Sequence, residues 1–325
     1  MKRRDFLLGG LGELSIAICL PTIYADNPID ELEDADITFK KKDFVNAINK
    51  YKKIRVQYAS KNLVDKRQYC TSQIIRCLRR VGNLSLASEE YFQYSRINPI
   101  VSLELTPLIW SASIALIQGT KPDPQTSLNI LRQTNQSNPN PSAELLAASI
   151  LSVNQEQSYR NIGLHHLRKL SNQPESDFDS KSDKLSNDLN DNNSSTQSPE
   201  LKQSDSMKKL SHEISLLAGA LLWKEQIPIL HNEKELATFQ RLIKQIPESI
   251  RGGAFFLYGK SAAQVGLLEE AVVAMMKIPV HYAEDTILVL ESLNESAKFL
   301  NKLNRKKQAE QLQNEALELK NTFFM

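Results

Sequence analysis

From Asp26 onward, apolar residues recur at helical spacing almost everywhere, and no segment keeps the alternation of a half-buried strand. This pattern restricts the chain to an all-α fold. Breakers cut the periodic run at short intervals. Pro99, Pro122, Pro124, Pro139, Pro141, Pro228, Pro247 and Pro279 fall at or near the ends of the periodic stretches, where proline costs a helix least. The spacing predicts helices over 29–40 and 43–58, 65–81 and 84–97, 104–119 and 124–136, and 141–154 and 156–171. It continues with 207–225 and 232–246, 251–265 and 267–278, and 283–302 and 304–322, which makes seven pairs. Glycine points the same way. Its 11 residues among 325 are about half the usual ~7% share, which leaves few tight hairpins and few phosphate-cradling loops.

The first 25 residues read differently. Lys2-Arg3-Arg4 open the chain, a mildly apolar stretch containing Gly9, Gly10 and Gly12 follows, and Pro21 precedes Ile23 and Ala25. A basic start, an apolar middle and a small residue before a polar segment make an export signal. Arg3-Arg4 followed by Phe6-Leu7 resembles a twin-arginine signal peptide of bacteria, which implies passage through that export machinery and cleavage after Ala25. Left uncleaved, the same segment would anchor the chain at the membrane. No other stretch approaches the ~18–20 apolar residues that span a bilayer. The expected mature chain is therefore periplasmic or envelope-associated, with no transmembrane span.

Residues 172–205 interrupt the helical pattern. Nineteen of the 34 are Ser, Asp or Asn, and Phe178, Leu185, Leu189 and Leu201 are the only sizeable apolar side chains. Such a segment buries too little surface to offset its ordering entropy, so it is expected to be a disordered acidic linker. The organisation read from the sequence is thus a signal over 1–25, helical repeats over 26–171, the linker over 172–205 and further repeats over 206–325.

Four of the expected second helices open alike. Lys42, Gly82, Gly266 and Asn304 each stand five residues before an alanine: Ala47, Ala87, Ala271 and Ala309. Tyr51 and Tyr91 follow the first two alanines by four. Ala35, Gly259 and Ala297 lie twelve residues before three of the four alanines. Two helices approach closely where small residues face each other, and a bulky ring one turn on fills the groove against the next pair. These small and aromatic positions resemble those of the tetratricopeptide repeat family, and Pro99 sits where that family's terminal proline would. The resemblance implies an α-solenoid of about seven antiparallel helical hairpins, interrupted by one disordered loop. It covers roughly half the chain beyond Ala25; residues 104–171 fit only as amphipathic hairpins.

Motifs that carry chemistry are scarce. Lys plus Arg number 40 against 38 for Asp plus Glu, a net of +2, which excludes a strongly basic nucleic-acid binder. Ala254 to Ser261 satisfies a relaxed phosphate-loop pattern, but its four residues before Gly259 are bulky, and no strand precedes it. His165 and His166 diverge by about 100° on a helix, and His212-Glu213 lacks a second histidine, so no metal site is expected. Cys70 and Cys77 sit two helical turns apart, about 10.5 Å, which is too far for a disulfide. They are expected as small core residues. Glu89-Glu90 and Glu269-Glu270 are expected to serve helix starts as capping or solvated acids.

The sequence therefore predicts a scaffold that binds another protein or a peptide, with no catalytic residue and no cofactor. In the resembled family first helices line the groove, which places the ligand against 29–40, 65–81 and 251–265. Lys40, Arg76, Arg79 and Lys260 are the charged candidates there. The alternatives are a cell-wall-active enzyme built on a helical superhelix and a structural subunit of an envelope assembly.

Overall fold

A computed structural model describes residues 28–97, 105–114, 122–134, 140–171 and 199–323. The expected signal, with Arg3, Arg4 and Ala25, lies outside these residues, as does most of the expected linker. Among the described residues all regular structure is helical. Fourteen α-helices run in order: α1 Pro28–Lys40, α2 Phe44–Ser60, α3 Val64–Arg80, α4 Leu84–Ile97, α5 Leu105–Ile114, α6 Pro124–Thr134 and α7 Pro141–Ser152. They continue as α8 Gln157–Ser171, α9 Pro199–Trp223, α10 Glu233–Gln245, α11 Gly252–Gln264, α12 Leu268–His281, α13 Thr286–Lys302 and α14 Lys306–Phe323. Short 3-10 turns occupy Ile227–Ile229 and Glu248–Ile250. None of the helices is long and apolar enough to cross a membrane, among the described residues.

One boundary departs from the reading of the sequence. Helix α9 begins at Pro199, inside the range assigned to the linker. Proline there occupies the first helical position, where its fixed φ helps and its missing N–H is no loss.

Five turns share one geometry. Lys42, Asn62, Gly82, Gly266 and Asn304 each sit in the left-handed region, with φ of 64°, 55°, 74°, 90° and 59°. The next residue's N–H then donates back across the helix end: Asp43 to Thr38, Leu63 to Tyr58, Asn83 to Leu78, Leu267 to Ala262 and Arg305 to Leu300, at 2.8–3.3 Å. These are Schellman closures, in which a left-handed residue stops one helix and satisfies its last carbonyls. Each joins two helices that pack on each other. Four of the five left-handed residues are the ones that stand five positions before an alanine, so the sequence period marks these turns.

The packing positions read from that period are all buried. Ala35, Ala47, Tyr51, Ala87, Tyr91, Ala271, Ala297 and Ala309 are each 0% exposed, and Gly259 is buried beside them. A methyl group on Gly259 would crowd Met275 and the Ala271 carbonyl, so α11 and α12 approach closely there. Gly163 allows a tighter approach still: its α-carbon faces the backbone of Ala148, Leu151 and Ser152, which seats α8 on α7.

Contacts also run well beyond nearest neighbours. Helix α5 packs against α4 and α7 and also against α11 and α13, and α13 reaches α3. Leu108 to Ser113 in α5 are buried on every side, as are Ser142 to Ser152 in α7. Apolar and small residues all round a helix belong to a core element, not to an amphipathic one. The expectation of amphipathic hairpins across 104–171 is corrected at α5 and α7. At the far end of the chain, Phe323 stacks on Phe44 at 5.9 Å, and Lys42 lies over the Phe323 ring at 5.4 Å. The last helix thus meets the first pair.

Candidate functional site at the helical seam

Helices α3, α5, α11 and α13 converge where the two ends of the described chain meet. The face of α3 that meets α13 carries Arg76 and Arg79 three residues apart, hence on one side of the helix. Both lie near its C-terminus, where cations complement the helix dipole. Gly82 then closes the helix.

The wall opposite is built by α5. The Trp110 indole N–H donates to the Ile250 carbonyl at 3.0 Å, which ties α5 to the 3-10 turn before α11. Gly253, in the first turn of α11, leaves room for the Trp110 ring; a methyl group there would run into it. The Tyr282 hydroxyl donates to the Glu248 carbonyl at 2.6 Å and holds the turn after α12 against the same segment. That turn delivers Asp285 to the N-cap of α13.

Asp285 is 5% exposed and Arg79 4%. The Ser111 hydroxyl donates to Asp285 Oδ1 at 3.0 Å, and Arg79 Nη1 stands 3.7 Å from the same oxygen. Burial pushes the Asp285 carboxyl above the usual range, and Arg79 and Ser111 offset only part of it. Arg80 turns away: it faces Glu284 at 3.9 Å and lies over the rings of Phe39 and Phe44. The residues converging here line a half-open pocket of about 230 Å³. Arg76, Arg79, Trp110, Tyr282, Glu284 and Asp285 are among the residues that line it, so its two guanidiniums share the pocket with two carboxylates.

Of the four charged candidates, the structure brings Arg76 and Arg79 together at this cavity. Lys40 is exposed at the end of α1. Lys260 leaves the cavity and donates to Glu295 on α13 at 2.7 Å. Along the segments where the groove is expected, 29–40, 65–81 and 251–265, α3 meets α13 and α11 meets α5.

Trp110, Ser111, Tyr282 and Asp285 escaped the reading of the sequence. The available signals were a rare tryptophan in a helix apolar on all sides and an aspartate placed before a periodic run. Glu269 and Glu270 do stand in the first turn of α12, and Glu269 is exposed, but Glu90 and Glu270 also make contacts between helices. Glu90 receives both terminal nitrogens of Arg55, at 2.6 and 3.3 Å, across α2 and α4. Glu270 accepts from Tyr258 and Gln240. His166 meets the buried Glu144 at 2.7 Å, and Lys169 reaches the same oxygen at 3.2 Å. Cys70 and Cys77 are buried free thiols, and burial pushes them up to about 11 and about 12.

Compared with known proteins, the chain matches no family model, no curated protein and no solved structure.

Proposed function

We propose that this chain is an exported helical-repeat scaffold of the bacterial cell envelope that binds another protein or a peptide. In this reading the helices form seven antiparallel hairpins of a tetratricopeptide-like solenoid, curled until its first helices α3, α5, α11 and α13 converge. The reading rests on the lining of the cavity at that convergence. It mixes two guanidiniums with tryptophan and tyrosine rings, the residue types that dominate recognition sites. Five turns of one geometry and nine buried packing positions support the repeat itself. Asp285 is engaged by Ser111 and faces Arg79, which suits it to hold a cation in place, not to activate water.

The test is capture of partners from envelope extract by the tagged chain over 26–325, followed by mass spectrometry. Reproducible enrichment of one protein supports the scaffold. No partner, together with turnover of an envelope glycan, would overturn it. Export is tested separately: Arg3→Lys with Arg4→Lys blocks it if the twin-arginine reading holds.

A further inference from the structure

We propose that the α1–α2 turn, with the aromatic cluster behind it, is a docking surface for an anionic lipid membrane. The proposal goes beyond the scaffold reading and does not rest on it. Three consecutive lysines, Lys40, Lys41 and Lys42, are exposed at this turn. The backbone closes the end of α1 without them: the N–H groups of Lys41, Lys42 and Asp43 donate to the carbonyls of Ile37, Phe39 and Thr38. The ammonium groups are therefore not needed as caps. Lys40 and Lys41 form no ion pair among the described residues. The Lys42 ammonium lies over the Phe323 ring at 5.4 Å. The four other turns of this geometry place glycine or asparagine at the left-handed position, and this one places a lysine.

Neighbouring acids do not cancel the lysines. Within one helical turn along the chain the carboxylates are Asp36 and Asp43. Asp36 accepts from the Tyr51 and Tyr69 hydroxyls, and Asp43 accepts from the Asn46 backbone and side chain. Arg80 and Glu284 balance each other at 3.9 Å, and Glu318 balances Lys320 near the end of α14. The surplus that remains is positive and sits on exposed side chains. Apolar groups stand among these cations. Ile37 and Val45, to either side of the turn, are 42% and 62% exposed. The half-buried Phe39 and Phe323 pack on Phe44 at 5.5 and 5.9 Å. A soluble polyanion gives such side chains nothing to enter. A membrane interface takes both kinds, with cations among the headgroups and apolar groups at the acyl boundary.

Co-sedimentation of the chain over 26–325 with sucrose-loaded vesicles tests this. Starting at Asp26 keeps Lys2, Arg3 and Arg4 out of the measurement. The chain is expected to sediment with vesicles of equal parts phosphatidylglycerol and phosphatidylcholine, to be released by added salt, and to stay in solution with phosphatidylcholine alone. Each lysine at an anionic surface is worth about fivefold in partitioning, so Lys40→Gln with Lys41→Gln weakens binding about thirtyfold. Both side chains are exposed and unpaired, so the melting temperature stays at the parent value. Lys40→Arg with Lys41→Arg keeps the binding, since the charge is retained. Val45→Asn weakens it several-fold with no change of charge. Equal binding to both vesicle types, no binding to the anionic ones, or unchanged binding in the folded Gln or Asn variants overturns the proposal. Capture by inorganic polyphosphate without vesicle binding overturns it too, and makes the turn a site for a soluble polyanion.

Discussion

Arg79 Nη1 stands 3.7 Å from Asp285 Oδ1, although the two residues belong to opposite ends of the chain. A strictly one-dimensional array has no such contact, because each of its units touches only its neighbours. Here the pair joins α3 to the start of α13, with Ser111 of α5 donating to the same carboxylate.

Arg79→Gln removes one member of a buried pair and leaves Asp285 with hydrogen-bond partners but only the weaker attraction of Arg80. Chemical denaturation is expected to record a loss of about 3 kcal/mol. Arg79→Gln with Asp285→Asn recovers most of it, since no charge then remains buried without compensation. A double variant as unstable as the single one would show that the pair does not hold the seam.

The turn at Gly266 isolates a backbone effect. Its φ is 90°, and a methyl group there would meet nothing within 4 Å. Gly266→Ala is therefore expected to cost about 1 kcal/mol from left-handed strain alone. Gly266→Asn costs less, because asparagine tolerates that region. Denaturation midpoints of the two variants give the comparison, and an alanine variant as stable as the parent contradicts it.

Lys224 gives a pH dependence of known sign. Burial holds its ammonium down to about 8, and it donates to the Ser113 carbonyl. Unfolded, the same lysine titrates near ~10.4. Between these values the unfolded chain holds a proton that the folded chain has released, so unfolding takes up a proton. Raising the pH through this window therefore favours the folded state, by up to about 1.4 kcal/mol per pH unit. Below it, both states are protonated, and the cost of burying the charge is fully present. The stability of the parent relative to Lys224→Met is expected to climb from about pH 8 to ~10.4; a flat difference contradicts the assignment.

The helices were legible because prolines and turn residues punctuate a single apolar period. The close-packing residues were legible too: Ala47, Ala87, Ala271 and Ala309 sit at a fixed distance from the left-handed turn residues. The seam was not. Its contacts join single residues from distant segments, such as Trp110 with Ile250 and Gly253, and no local period records them. Gly253 looks like any glycine at a helix start until the indole lies on it. Arg76 and Arg79 were visible as a basic pair on one helix face, but the carboxylate facing Arg79 comes from the other end of the chain.

The seam forms only when the chain folds back so that α13 and α14 meet α2, α3 and α5. Small-angle X-ray scattering from the chain over 26–325 tests this most directly. A folded-back chain of this length has a radius of gyration close to the ~19 Å of compact proteins. An open row of seven hairpins, spaced by the ~10 Å of packed helices, would reach about 22 Å or more. A value near the first figure is expected for the parent chain, shifted upward in Arg79→Gln as the seam loosens. A value at the second figure for the parent chain would contradict the fold-back and the cavity it creates.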